Sequence, residues 1–197
     1  MSLKRTYNDE ELQVLANELT RANTHIYFAR NLRLNYEQLG APNDFWKYTL
    51  DAHSSIALLN LCRVYDTHND GINLFNCLES IDKNALDQAK QTQLNTYIAL
   101  CRPQSENHLV KSLRAWRNKI IAHYNIEAAL NREGFDKKNP DEPEEILRNL
   151  IETGFKILEW CSSLHGKVTT YQKFAPGKAS YKDVLECLQI CKKLKHE

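Results

Sequence analysis

From Asp9 to Leu39 the chain places Leu12, Leu15, Leu19, Ile26, Phe28, Leu32 and Leu39 mostly at helical intervals, without Gly or Pro, before Gly40 and Pro42. That pattern predicts a long amphipathic helix with a stop signal behind it, and it is compatible with a break near Asn23. Between Phe45 and Tyr65 the apolar residues Trp46, Leu50, Ile56, Leu59, Leu61 and Cys62 crowd more than one stripe, as expected of a central helix covered on several sides. Asp66 to Gly71 then reads as a polar turn whose Asp and Asn side chains bond nearby backbone and whose Gly71 supplies a positive φ. A short amphipathic stretch from Ile72 to Ile81 follows, and a helix from Asn84 to Cys101 stopped by Pro103.

Leu109, Leu113, Trp116 and Ile120, continued by His123 and Tyr124, mark one face of a helix from Ser105 to Tyr124, with Asn125 at its end. Residues 131 to 143, holding Gly134, Asn139, Pro140 and Pro143, read as a loop, and Asp141 as the cap of the next helix. The clearest stripe of all is Leu147, Leu150, Ile151, Leu158, Cys161 and Leu164, closed by Gly166. After a loop with Pro176 and Gly177, Ser180 and Asp183 open a last helix carrying Val184, Leu188 and Cys191. The expected architecture is an all-α bundle of about six to seven helices, residues 1–197 forming a single domain.

Composition agrees. With 42% hydrophobic and 26% charged residues the chain folds around a core, and 6 Gly and 5 Pro are too few for the many turns of a sandwich or barrel. No apolar run approaches the roughly 20 residues that span a bilayer, and the N-terminal stretch turns acidic at Asp9-Glu10-Glu11 without an apolar segment, so a cytoplasmic location is expected and no membrane partner. In that setting the six cysteines, Cys62, Cys77, Cys101, Cys161, Cys187 and Cys191, read as reduced thiols, most of them in the core.

Lys and Arg total 26 against 25 Asp and Glu, so the whole molecule projects no strong field. The distribution is uneven, however. Between Glu106 and Glu127 there is no carboxylate, while Lys111, Arg114, Arg117 and Lys119 fall there. The signatures of serine hydrolases, P-loop ATPases, Rossmann dehydrogenases and zincins are missing. Asp66, Asp70 and Gly71 match part of a calcium loop, but Cys77 stands where a bidentate Glu belongs. Cys187 and Cys191 share a helix face without the further ligands zinc requires. No metal and no other cofactor is therefore expected.

What remains is Arg117-Asn118-Lys119-Ile120-Ile121-Ala122-His123 inside the basic window. Histidine titrates near pH 6.5 and can take the proton of a ribose 2′-hydroxyl or give one to a leaving oxygen. Arginine presents fixed donors to the charge that develops on phosphorus oxygens. Those residue types suit cleavage of RNA. Arg117-Asn118 followed by His123 resembles the Arg-x(4 to 6)-His signature of the HEPN superfamily, in which a polar residue directly follows the Arg. Leu61-Cys62-Arg63-Val64-Tyr65-Asp66 and Ile72-Asn73-Leu74 upstream make the chain similar to its abortive-infection AbiU-type branch, over about residues 10 to 165.

The resemblance implies a helical bundle that forms a homodimer. In catalytic members it implies a metal-independent endoribonuclease that leaves a 2′,3′-cyclic phosphate and a 5′-hydroxyl, in toxin-antitoxin or phage-defence roles, with an antitoxin protein as a further partner. Some members carry His-x-Tyr, whereas Tyr124 here follows His123 directly. On this reading Arg117 clamps phosphate, His123 is the general acid/base, Asn118 orients one of them, and Lys111, Arg114 and Lys119 contact the RNA.

Helix geometry bears on that assignment. Six residues advance about 9 Å and end about 120° away in azimuth, so one helix does not easily close a site around Arg117 and His123. Two copies related by a two-fold axis would duplicate every group around one cleft. The rival readings are a non-catalytic module of the same fold that binds RNA, a nucleotide or a protein, and a helical scaffold whose apolar stripe only dimerises. Trp116, between Leu113 and Ile120 on the stripe, reads as a core or interface anchor.

Overall fold

The computed structural model describes residues 7–35, 44–118, 142–166 and 171, and among them there is no strand. Among the described residues six helices carry the fold: α1 (Asp9–Leu34), α2 (Asp44–Val64), α3 (Leu74–Glu79), α4 (Gln88–Cys101), α5 (His108–Trp116) and α6 (Glu142–Leu164), with a 3₁₀ turn at Lys83–Ala85 between α3 and α4. The expected all-α class is the one observed.

Helix α1 starts where its sequence tells it to. The Asn8 side chain accepts from the Glu11 N–H at 3.0 Å, and the Glu11 carboxylate accepts from the Asn8 N–H at 3.1 Å. Asp9, Glu10 and Glu11 meanwhile face the positive end of the helix dipole. The helix runs unbroken through Asn23 to Leu34, so the break entertained from the pattern does not occur, and it stops short of Leu39. Asp87 caps α4 and Asn107 caps α5 in the same way, each side chain accepting from backbone N–H groups of the first turn.

Leu12, Leu15, Leu19, Ala22, Ile26 and Ala29 line the buried face of α1. Against it α2 and α6 both run antiparallel. Glu18 meets Arg63 and His25 meets His53 along α2, while Arg33 meets Glu144 and Leu19 meets Gly154 along α6. Tyr65, Leu74, Leu78, Leu94, Leu113, Phe155 and Leu158 complete one continuous core, and Trp116 packs on its edge as expected of an anchor. Cys62, Cys77, Cys101 and Cys161 are buried free thiols, whereas Cys187 and Cys191 lie outside the described residues, as do Asn125, Asp141 and the helix expected after Ser180.

Two glycines divide the expectations made of them. Gly166 takes φ 71° directly behind α6, as a helix stop should, and it is the only positive-φ glycine among the described residues. Gly71 therefore does not supply the positive φ expected of it. The turn is shaped instead by side chains bonding its carbonyls: Tyr7 donates to the Gly71 carbonyl at 3.2 Å, Asn76 to the same oxygen at 2.9 Å, and Asn73 to the His68 carbonyl at 3.0 Å.

Candidate functional site

Three chain segments meet around Arg114 and Arg117: the residues just beyond α2, which reach Arg117, the end of α4, which holds Arg114, and the end of α5, which carries both. The first is placed by Tyr65. Its ring is 1% exposed and its hydroxyl donates to the Leu150 carbonyl at 2.6 Å, which fastens the end of α2 to α6 and delivers Asp66 to the surface at a fixed point.

Arg114 supplies the second junction. Its Nη2 donates to the Cys101 carbonyl at 3.0 Å, and its Nη1 to those of Arg102 and Pro103 at 3.0 and 2.7 Å. A cation at the negative end of α4 complements the dipole and satisfies carbonyls the helix leaves unpaired. Burial lowers the pKa of this guanidinium, and neighbouring Arg117 lowers it further, while Cys101 and Asp66 act in the opposite sense. Arg114, assigned from the sequence to RNA contact, thus has these nitrogens turned to the protein's own backbone.

One turn later the helical backbone widens into a π turn at Arg117 and Asn118. Such turns are rare and frequent at functional sites. Here Arg117 Nη1 donates to Asp66 Oδ1 at 3.3 Å, and Arg117 Nε donates to Asn118 Oδ1 at 3.2 Å. The ion pair is half-open to solvent, with the two side chains 38% and 40% exposed, so its contribution to stability is at most about 1 kcal/mol. Its stronger effect is on direction, because the guanidinium is held along two of its edges by groups from two segments. Among the described residues nothing takes the hydrogens of Nη2.

Cys62 lies one turn before Asp66. Burial pushes its thiol up to about 12, an effect that nearby Arg117 moderates and Asp66 reinforces. A thiol of that pKa is almost wholly protonated at neutral pH and is no nucleophile. Lys111 pairs with Glu106, both of them exposed, and this contact lowers the Glu106 pKa. The carboxylate that bounds the basic window thus neutralises its first lysine.

Of the six residues singled out from the sequence, the structure brings Arg117 and Asn118 together and places Arg114 and Lys111 as described. Lys119 and His123 lie outside the described residues. Asp66 is the residue that sequence reasoning missed. It closes the segment Leu61 to Asp66 that carried the family resemblance, but no local pattern links it to an arginine 51 positions away. Among the described residues no group of three or more His, Cys, Asp or Glu is placed to hold a metal ion, and no helix is long and apolar enough to cross a membrane.

Comparison with known families finds that the model of a HEPN family, described as AbiU2, matches residues 9–184. No curated protein matches the chain, and no solved structure does.

Proposed function

The chain belongs to the AbiU2 family of HEPN domains, and from that premise we propose that it is an endoribonuclease acting in abortive infection, as a toxin or phage-defence effector. The observation that supports this reading most is the mounting of Arg117: a half-exposed guanidinium aimed by Asp66 and Asn118, with its Nη2 donors untaken among the described residues, at a π turn six residues before His123. Arg117 binds the scissile phosphate and stabilises the charge of the phosphorane. The His123 of one copy takes the 2′-hydroxyl proton as the 2′-oxygen attacks phosphorus, and the protonated His123 of the other copy gives its proton to the 5′-oxygen as the bond from that oxygen to phosphorus breaks. The products are a 2′,3′-cyclic phosphate and a 5′-hydroxyl, and the chemistry asks for no metal. Lys119 draws the RNA backbone in. Because six residues of an ideal helix do not easily bring Arg117 and His123 to one site, two copies of the chain share the cleft in this reading.

The test is incubation of the full chain with RNA in excess chelator, with end-group analysis of the products. Cleavage that is lost in both Arg117→Ala and His123→Ala, each still folded, is the expected result. Cleavage that survives both substitutions overturns the proposal. RNA binding without cleavage, steeply weakened by salt, would identify a non-catalytic binding module instead.

A further inference from the structure

We infer that Asp66 is a positioning residue for Arg117, and that the turn from Asp66 to Asn73 is built to hold its carboxylate in place. This rests on the nuclease reading above and extends it to a residue outside the Arg117 to His123 segment.

Three observations carry it. First, the carboxylate is fixed at its own end: Asp66 Oδ1 accepts the Thr67 N–H at 2.8 Å as well as Arg117 Nη1 at 3.3 Å. Second, the backbone on either side of Asp66 is anchored. Tyr65 is locked to Leu150 on one side. On the other, the buried Asn73 caps α3 by accepting the Asn76 N–H at 2.8 Å, while Asn76 Nδ2 donates to the His68 carbonyl at 2.8 Å. Tyr7 joins the same net, its hydroxyl accepting the Asn73 N–H at 3.2 Å. So much polar construction exceeds what a half-exposed ion pair needs for stability, and it suits a group whose position matters to chemistry.

Third, Arg114 in the last turn of α5 and Arg117 directly behind that helix stand one turn apart and repel each other, and Asp66 attracts both. Arg114 is tied to the end of α4 and does not yield. Without the carboxylate, Arg117 keeps only the bond from its Nε to Asn118 and is the group that shifts, and a misplacement of about 1 Å at a reacting centre costs on the order of a hundredfold in rate.

The experiment compares Asp66→Ala and Asp66→Asn with the unaltered full chain in RNA cleavage, alongside the unfolding midpoint and the ¹⁵Nε–¹Hε resonance of Arg117, assigned by its loss in Arg117→Lys. In Asp66→Ala we expect kcat to fall by about a hundredfold with KM changed little, an unchanged unfolding midpoint, and an Arg117 resonance that shifts and loses its restraint. Asp66→Asn keeps an acceptor oxygen and should recover a large part of that kcat. An Asp66→Ala enzyme with full kcat, or one affected in KM alone, overturns the inference. So does an Arg117 resonance that does not change on substitution, whether or not RNA is cut. If the unaltered chain cuts no RNA, the nuclease reading fails and takes the catalytic meaning of Asp66 with it, even where the resonance still responds.

Discussion

The imidazoles of His25 on α1 and His53 on α2 meet Nδ1 to Nδ1 at 2.8 Å, with the Phe28 ring 5.3 Å from that of His53. One ring donates and the other accepts, so the contact needs at least one neutral imidazole. Burial lowers both pKa values, and for His53 the charge of His25 lowers it further. With folded pKa values below the unfolded 6.5, the unfolded chain takes up protons first as the pH falls, so stability is present above about pH 6.5 and declines below it. Urea unfolding at pH 7.5 and 5.5 should show that decline, and the double variant His25→Gln, His53→Gln should show less of it. An equal decline in both proteins would remove the pair as the cause.

Tyr65 and Leu150 make the buried link nearest the site. Tyr65→Phe removes the 2.6 Å hydrogen bond and leaves the ring in place, so it should cost about 1–2 kcal/mol in chemical denaturation. Because Asp66 is the next residue, the same variant should also lower kcat on RNA, and a variant that loses stability without any change in kcat would uncouple the two.

The long elements were legible because burial and helical period act within a few residues. The intervals of Leu12, Leu15 and Leu19 and of Leu147, Leu150 and Ile151 are the buried faces of α1 and α6. What the pattern could not contain is non-local. Arg117 with Asp66, and His25 with His53, are pairs set by how helices pack, and no periodicity within one helix encodes its neighbour's register. Arg114 shows the same limit in another form, since whether an arginine serves a ligand or the carbonyls of α4 depends on a segment 11 to 13 residues upstream folding back against it. Gly71 was misread because the residue type suggested backbone freedom, when Tyr7, Asn73 and Asn76 shape the turn by bonding its carbonyls.

The core thiols should be inert while the protein is folded. Cys62 and Cys101 are pushed up to about 12, chiefly by burial, and Cys77 is raised by its contact to Cys161 at 4.0 Å and by burial. At pH 8 a pKa of about 12 cuts the thiolate fraction roughly a thousandfold against a free cysteine, before access is considered. Iodoacetamide should leave peptides containing Cys62, Cys77, Cys101 and Cys161 unlabelled in the native chain and label them fully in urea. Native labelling of Cys62 at the rate of a free thiol would contradict its placement.

Gly154 sits in the middle of α6, where glycine costs about 1 kcal/mol relative to alanine. A Cβ there would stand 2.9 Å from both methyls of Leu19 and 3.4 Å from the Tyr65 hydroxyl, and Leu19 is fully buried, with little room to retreat. Overpacking of this kind costs about 1–3 kcal/mol, so Gly154→Ala should be destabilising by about 1 kcal/mol net, despite its better helix propensity. The cause can be isolated by a double-mutant cycle. Leu19→Ala alone should cost about 2–5 kcal/mol, but in that background the obstructing methyls are gone, and Gly154→Ala should change sign and stabilise by about its propensity gain. If Gly154→Ala has the same effect in both backgrounds, the close approach of α1 to α6 is not what the glycine provides.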